Sequence, residues 1–222
     1  MQNFAQQSDD REQQMKDEAM PKRKHIVREY AESIVIAIIL ALIIRTFIVQ
    51  AFKIPSGSME DTLAVGDHIL VNKFIYGTKI PFTDSRILKI RDPKRGDVIV
   101  FEYPEDPSKD FIKRIVGTPG DVVQVRDKKV YINNELYENP HEVHKEKEII
   151  PQAQNPRDNT KLITVPPDAY FVMGDNRDRS YDSRFWGFVK DEKIKGLAFN
   201  KYWSWDKEKF RVRFGSIGKL ID

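Results

Sequence analysis

The sequence predicts a mostly β protein, an antiparallel sheet or barrel-like domain preceded by one N-terminal transmembrane helix. Three observations carry that reading. From Asp67 onward the apolar residues come in short runs bounded by Gly, Pro, Asn and Asp. The same stretch shows almost no helical periodicity. Ahead of it lies a single strongly apolar segment, from Ile34 to about Phe52.

Residues Met1 to Met20 are rich in Gln, Asp and Glu and hold few large apolar side chains. Such a stretch cannot bury enough surface to offset its ordering entropy, so residues 1–24 read as a polar head. The basic cluster Pro21-Lys22-Arg23-Lys24-His25, with Arg28 one turn on, leads into an uncharged run from Ser33 to Ile44. Arg45 breaks that run and Phe47-Ile48-Val49 resume it. A span needs about 20 residues. The count from Ala31 through Phe52 supplies them if Arg45 snorkels to a headgroup or faces protein. The anchor is therefore placed at residues 25–52. A buried core helix is the weaker reading, because a helix apolar all round needs a large protein or lipid about it. The basic flank puts the N-terminus in the cytoplasm. The domain 53–222 is then extracytoplasmic, on a single-pass protein of the inner or plasma membrane. Val49-Gln50-Ala51 offers small residues at a cleavage spacing. The late start of the basic region and the interruption at Arg45 instead favour an uncleaved anchor.

The strands expected downstream are 67–73, 97–102, 111–116, 121–125, 130–132, 135–137, 161–165, 169–173, 194–199 and 210–214. Asn133-Asn134 reads as a tight hairpin turn. The charged, proline-bearing stretch at about 139–160 has no strand pattern and is expected to be a mobile excursion.

Composition narrows the chemistry. The 222 residues contain no cysteine, which excludes disulfides, thiolate zinc sites and cysteine nucleophiles. The 37 basic and 34 acidic residues leave a net charge of +3, with no compact basic stripe for nucleic acid. His141 and His144 sit at a helix-like spacing in the charged excursion and read as solvated. His68 opens a strand near Ser58 and is the only rival base. Arg95-Gly96-Asp97 reads as a turn into the strand at Val98.

Three stretches carry candidate chemistry. In Ile54-Pro55-Ser56-Gly57-Ser58-Met59, Pro55 fixes one backbone angle and Gly57 permits a close backbone approach, so Ser58 can present an exposed hydroxyl beside N–H groups able to hold an oxyanion. Taken alone this is a common turn. Lys113 shares a strand face with Phe111 and Ile115 by the period of two. Desolvation should lower its pKa, and a neutral amine is a competent base for a serine hydroxyl. Without a partner it would read as a lysine snorkelling from a sheet edge. Gly174-Asp-Asn-Arg-Asp-Arg-Ser-Tyr-Asp-Ser-Arg184 lacks the glycine and distal glutamate of a calcium loop, and its arginines would repel the ion. It reads as a rigid loop cross-braced by Asp–Arg pairs, with Ser180 or Ser183 as a hydrogen-bonding orienter.

Together these stretches resemble the type I signal peptidases, membrane-anchored Ser/Lys proteases that remove signal peptides from exported proteins. The resemblance runs from the anchor to about Phe199. It includes Pro55-Ser-Gly-Ser-Met59 with Thr62-Leu63, Gly66-Asp67, Arg95-Gly-Asp97, Asp110-Phe-Ile-Lys-Arg114, Gly117-Thr-Pro-Gly-Asp121 and the Gly174–Arg184 stretch. It implies Ser58 as nucleophile, Lys113 as general base, and the Ser56 hydroxyl completing an oxyanion hole with the Ser58 N–H. It implies Ser180 as the residue orienting the amine and Asp182 with Arg184 as the bracing ion pair. Phe52, Ile54, Met59, Leu63, Phe111 and Ile112 fall where the family lines shallow pockets for small side chains, against a substrate docked as an added strand. The implied partners are secretory preproteins with small residues at the cleavage site and the lipid bilayer, with no nucleic acid, cofactor or metal. Two positions depart from the family pattern: Asp61 replaces a usual proline, and Arg179 stands where asparagine is common.

Two other classes are weighed. A self-cleaving, repressor-type Ser/Lys protease would carry a DNA-binding head, which residues 1–20 do not resemble. A membrane-tethered, non-catalytic β module would bind a partner through an apolar edge. Tyr202-Trp203-Ser204-Trp205 could serve such an edge, although packing in the core is the expected role of those rings.

Overall fold

The computed structural model describes residues 22–79, 86, 87 and 89–222. Its contacts divide the chain after Thr46 into a helical unit and a β unit, Phe47–Asp222. Most of the expected polar head therefore lies outside the described residues. Helix α1 spans Lys22–Phe47. Within it Arg28–Phe47 gives 20 residues, long and apolar enough to cross a bilayer, and none of that stretch is buried in protein.

The β unit contains β1 (Val49–Lys53), β2 (Asp67–Asn72), β3 (Thr78–Lys79), β4 (Arg86–Ile87), β5 (Val98–Tyr103), β6 (Asp106–Gly117), β7 (Val122–Arg126), β8 (Lys129–Ile132) and β9 (Glu135–Tyr137). It continues with β10 (Ile163–Thr164), β11 (Ala169–Met173), a short helix α2 (Ser183–Trp186), β12 (Val189–Lys190), β13 (Ile194–Asp206) and β14 (Arg211–Val212). The named strand pairs are all antiparallel. The large sheet runs β1-β2-β13-β5-β6-β11-β12, with β14 added to β13. A smaller sheet runs β10-β7-β8-β9, and β3 pairs with β4.

The apolar helix is thus displaced from the expected 25–52. It stops at Phe47, and Val49–Lys53 forms a strand, registered from Val49 opposite Asn72 to Lys53 opposite His68. These residues have a full ladder of backbone partners in β2, which outweighs continuing the helix. Length is recovered at the N-terminal end. Arg45 lies in the last turn, where a cation complements the helix dipole.

Alternation along β5 gives the large sheet two covered faces. Val98 and Val100 join Ile54, Met59, Leu63, Ile69, Val71 and Ile112 in one buried cluster. Ile99 and Phe101 join Tyr76, Ile115, Tyr170, Val172 and Val189 in another. A third cluster, around Val123, Val125, Val130 and Phe171, joins the small sheet to β11. Because β6 lies between β5 and β11, every residue from Ile112 to Gly117 is buried. The one-face burial expected for Lys113 is replaced by burial on both.

The Asn133-Asn134 hairpin forms with both residues in the left-handed region, φ 53° and 69°, as a two-residue primed turn requires. The β7–β8 turn uses Asp127 and Lys128 at φ 46° and 71°. That turn is held from outside, by Lys128 N–H to the Asp158 carbonyl and by Lys128 Nζ to Asp178 at 2.7 Å.

One expectation is corrected, and a second segment gains contacts. The excursion at about 139–160 carries no strand and makes hydrogen bonds to the loop after β11. Val143 exchanges backbone hydrogen bonds with Asp175 and Arg177, Glu146 N–H donates to Asp178, and Arg157 and Asp158 are buried and paired. Glu142, Lys145, Glu146, Arg157 and Asp158 form ion pairs that pin an irregular chain. Tyr202 and Trp203 are 40% and 41% exposed rather than packed in the core. β13 extends past Phe199 to pair with β2, and register shifts there turn Ser204 inward to Asp67 Oδ1 at 2.5 Å.

Candidate active site

The site is assembled from three segments: the turn after β1, strand β6, and the loop after β11. The first is a single 3-10 turn, Gly57–Met59, capped by Ser56 in extended conformation. It buries Ser58 and Met59 and leaves Ser56 exposed. The second brings up Lys113, which is 4% exposed. Lys113 Nζ donates to Ser58 Oγ at 2.8 Å and to the Ile112 carbonyl at 2.9 Å. It also lies 5.3 Å from the centre of the Phe111 ring, which stacks on Tyr103. Burial pushes the amine down to about 8; the charges of Asp182, Arg184 and Asp175 act on it with mixed signs and smaller effect.

The third segment braces the other two. Arg114, next to Lys113 on β6, forms a fork-to-fork pair with Asp175, Nε to Oδ1 and Nη2 to Oδ2, each at 2.8 Å and fully buried. Asp175 also accepts from Thr62 Oγ1 at 2.6 Å, four residues beyond Ser58. Asn176 N–H donates to the Ser58 carbonyl at 3.1 Å, and its Nδ2 to the Gly57 carbonyl at 3.1 Å. Asp182 and Arg184 form a second buried fork, with Nε and Nη2 at 2.8 Å from the carboxylate. Burial opposes the Asp182 charge, but the Arg184 guanidinium outweighs it and holds the carboxyl below the usual range. Arg184 also donates to the Arg157 and Arg177 carbonyls, so the pair fixes the loop to its surroundings.

Of the two orienter candidates, Ser183 Oγ accepts from Val172 N–H on β11 at 2.9 Å. Ser180 is buried beside Gly174, and its hydroxyl lies at the Asp182 carboxylate, whose charge it helps to stabilise. The Lys113 amine thus meets Ser58 and Ile112 but is not bonded to Ser180. His68 Nδ1 contacts the Gly66 carbonyl and its ring meets Tyr202 edge-on. It does not line the cleft.

An open cleft of about 530 Å³ lies over the pair, lined by Pro55, Ser56, Gly57, Ser58, Glu60, Asp110, Phe111, Ile112, Lys113, Arg179 and Tyr181. Of the six side chains expected in substrate pockets, Phe111 and Ile112 line it. Ile54, Met59 and Leu63 are core residues packed with Ile112, and Phe52 packs against the same cluster. They back the wall rather than form its surface, because the β1–β2 connection needs its apolar side chains to close that face of the sheet.

Beyond a loop cross-braced by Asp–Arg pairs, sequence reasoning gave no individual role to Arg114, Asp175, Asn176 or Gly174. A signal for the first two was present: a charge inside an apolar strand demands a buried partner. Gly174 is required for space. A methyl there would fall 2.3 Å from Ser180 Oγ and 2.4 Å from the Ser58 carbonyl oxygen. Gly174→Ala should therefore cost about 1–3 kcal/mol of stability through overpacking. Gly215→Ala, with open space around the new methyl, should be near neutral. Thermal unfolding of the two variants checks this contrast.

The sequence of this chain is similar to those of known proteins. The family described as signal peptidase, peptidase S26, matches residues 27–203. Signal peptidase I of Pseudomonas fluorescens is 40% identical over 89% of this chain and 81% of its own. Signal peptidase I of Pseudomonas aeruginosa is 40% identical with the same coverage. A crystal structure of a signal peptidase I from Enterococcus faecalis is 33% identical, covers 48% of this chain and 97% of its own, and has a TM-score of 0.38. By the extent of the family match and these identities, the chain belongs to the signal peptidases of peptidase family S26.

Proposed function

We propose that Ser58 and Lys113 carry out the reaction of this signal peptidase, the removal of signal peptides from exported preproteins by serine-protease hydrolysis. The observation that supports the assignment is a buried amine 2.8 Å from a serine hydroxyl at the floor of an open cleft. When the amine is neutral the contact reverses, and Ser58 Oγ–H donates to the Nζ lone pair. As Oγ attacks the scissile carbonyl carbon, that proton passes to Nζ and the carbonyl pair moves onto oxygen. The Ser58 N–H and the exposed Ser56 hydroxyl are the proposed donors to this oxyanion. Collapse breaks the C–N bond, and Lys113 gives its proton to the leaving amine. Water then attacks the Ser58 ester with Lys113 again accepting a proton, which releases the carboxylic acid and restores the hydroxyl.

The substrate lies along the cleft as an added strand, with the Phe111–Ile112 wall taking the small side chains near the scissile bond. Ser180 is proposed to approach the lysine only with substrate bound, since catalytic hydrogen bonds often tighten in the complex. Asp182 and Arg184 hold the loop that carries it.

The family is membrane-bound, and α1 is the segment able to span. We propose that it does so with residues 1–24 in the cytoplasm and the β unit outside. External protease added to intact spheroplasts should digest the β unit and spare an N-terminal tag. Loss of the tag instead would reverse this orientation.

Detergent-solubilised protein and a secretory preprotein test the chemistry. Ser58→Ala and Lys113→Arg should both lose processing, the second because arginine cannot be deprotonated. Ser56→Ala should lose about 10²–10³-fold in kcat. Wild-type kcat/KM should climb about tenfold per pH unit toward a plateau above about 8, because protonated Lys113 cannot act as base below its pKa. Turnover by Lys113→Arg, or a flat profile from pH 6 to 9, would remove the lysine from this role.

A further inference from the structure

The loop after β11 places one cation in the cleft that the reaction does not use. Past the 3-10 turn Arg177–Arg179 the chain becomes extended at Ser180, φ −117° and ψ 124°. Ser180 packs over Gly174, whereas Arg179, the last residue of the turn, and Tyr181 line the cleft and are exposed.

The other charges at the cleft are accounted for. Glu60 pairs with Lys145 at 2.8 Å and Asp110 with Lys195 at 2.7 Å. Lys113 is buried against Ser58. The Tyr181 hydroxyl reaches Glu105 at 3.5 Å. Among the described residues Arg179 has no ion pair and no side-chain hydrogen bond. A cation without a counter-charge at the wall of a peptide-binding cleft is satisfied by a carboxylate on the peptide.

We propose that Arg179 is a specificity residue that favours preproteins carrying an Asp or Glu side chain within a few residues of the scissile bond. The inference rests on the cleft over Ser58 being the peptide site. It concerns the choice among substrates and leaves the chemical step to Ser58 and Lys113. An exposed guanidinium–carboxylate contact corresponds to about a two- to fivefold preference, and salt screens it.

The test uses full-length, detergent-solubilised enzyme. Its substrates are peptides spanning a preprotein cleavage site, identical except for Ala, Asp or Lys at each of about three positions on either side. The readout is the Asp-to-Ala ratio of kcat/KM, which is insensitive to a uniform loss of activity. Wild type should show a ratio of about two to five at one or more positions in low salt, falling toward one in about 0.5 M NaCl. Arg179→Asn should bring the ratio to one, Arg179→Glu should invert it in favour of Lys, and Arg179→Lys should keep it above one. A ratio that is the same in wild type, Arg179→Asn and Arg179→Glu overturns the proposal. Ser58→Ala is run beside them. Cleavage surviving in that variant would defeat the assignment of the active site whatever the ratios show, so the two failures are distinguishable.

Discussion

The account depends on keeping one lysine out of water. Lys113 is enclosed by the strands on either side of β6, by the Phe111 ring and by the Ser58 turn. A drop from the ordinary 10.5 to about 8 represents on the order of 3 kcal/mol taken from folding at neutral pH. The sign follows from proton binding. Between about 8 and 10.5 the unfolded chain holds a proton that the folded chain has released, so the penalty is full below 8 and relieved as pH rises through that window. In the proposed mechanism this cost leaves a neutral amine beside a hydroxyl, as proton abstraction needs.

The surrounding structure opposes relaxation of that strained arrangement. Solvent could be regained if β6 slid or if the Ser58 turn lifted. The buried Arg114–Asp175 fork ties β6 to the loop after β11, and the same carboxylate accepts from Thr62 on the nucleophile segment. Asn176 closes the triangle through the Ser58 and Gly57 carbonyls. Gly174 allows the loop to pass within contact of the Ser58 backbone. The Asp182–Arg184 fork then secures the far end of the loop. Buried ion pairs contribute little net stability, but breaking one is expensive, which suits them to fixing geometry. The cleft side of the loop is left to Arg179 and Tyr181, on either side of the inward-packed Ser180.

Much of this was legible in the sequence. Val98 to Phe101 and Ala169–Met173 are continuous apolar runs, and β2 alternates as a half-covered strand should. The Asn133-Asn134 turn announces itself through residues tolerant of left-handed backbone. The pairing of Lys113 with Ser58 joins positions 55 residues apart, and the motifs pointed to it through their resemblance to a family. What could not be read depended on tertiary partners. Nothing local in Val49–Lys53 says that β2 will claim it from the helix. The Asp127-Lys128 turn lacks glycine and asparagine and is held by Asp158 and Asp178 from distant segments. The charges at residues 139–160 could not be paired from sequence, because Asp158, Arg157 and Glu142 find Lys128, Asp178 and Arg177 in distant segments. Ile54, Met59 and Leu63 could not be assigned to wall or core until the far face of the sheet was placed.

The titration of the Lys113 amine itself gives the most direct test. Protein labelled at the lysine side chains would be followed by NMR across pH 6 to 12, with the Lys113 signal assigned through its loss in Lys113→Met. The account predicts one lysine with a midpoint near 8, well below every exposed lysine, and an upward return when the protein is unfolded. A Lys113 midpoint near 10.5 in the folded protein would mean that the amine is charged throughout the working range, and the proposed base would be contradicted.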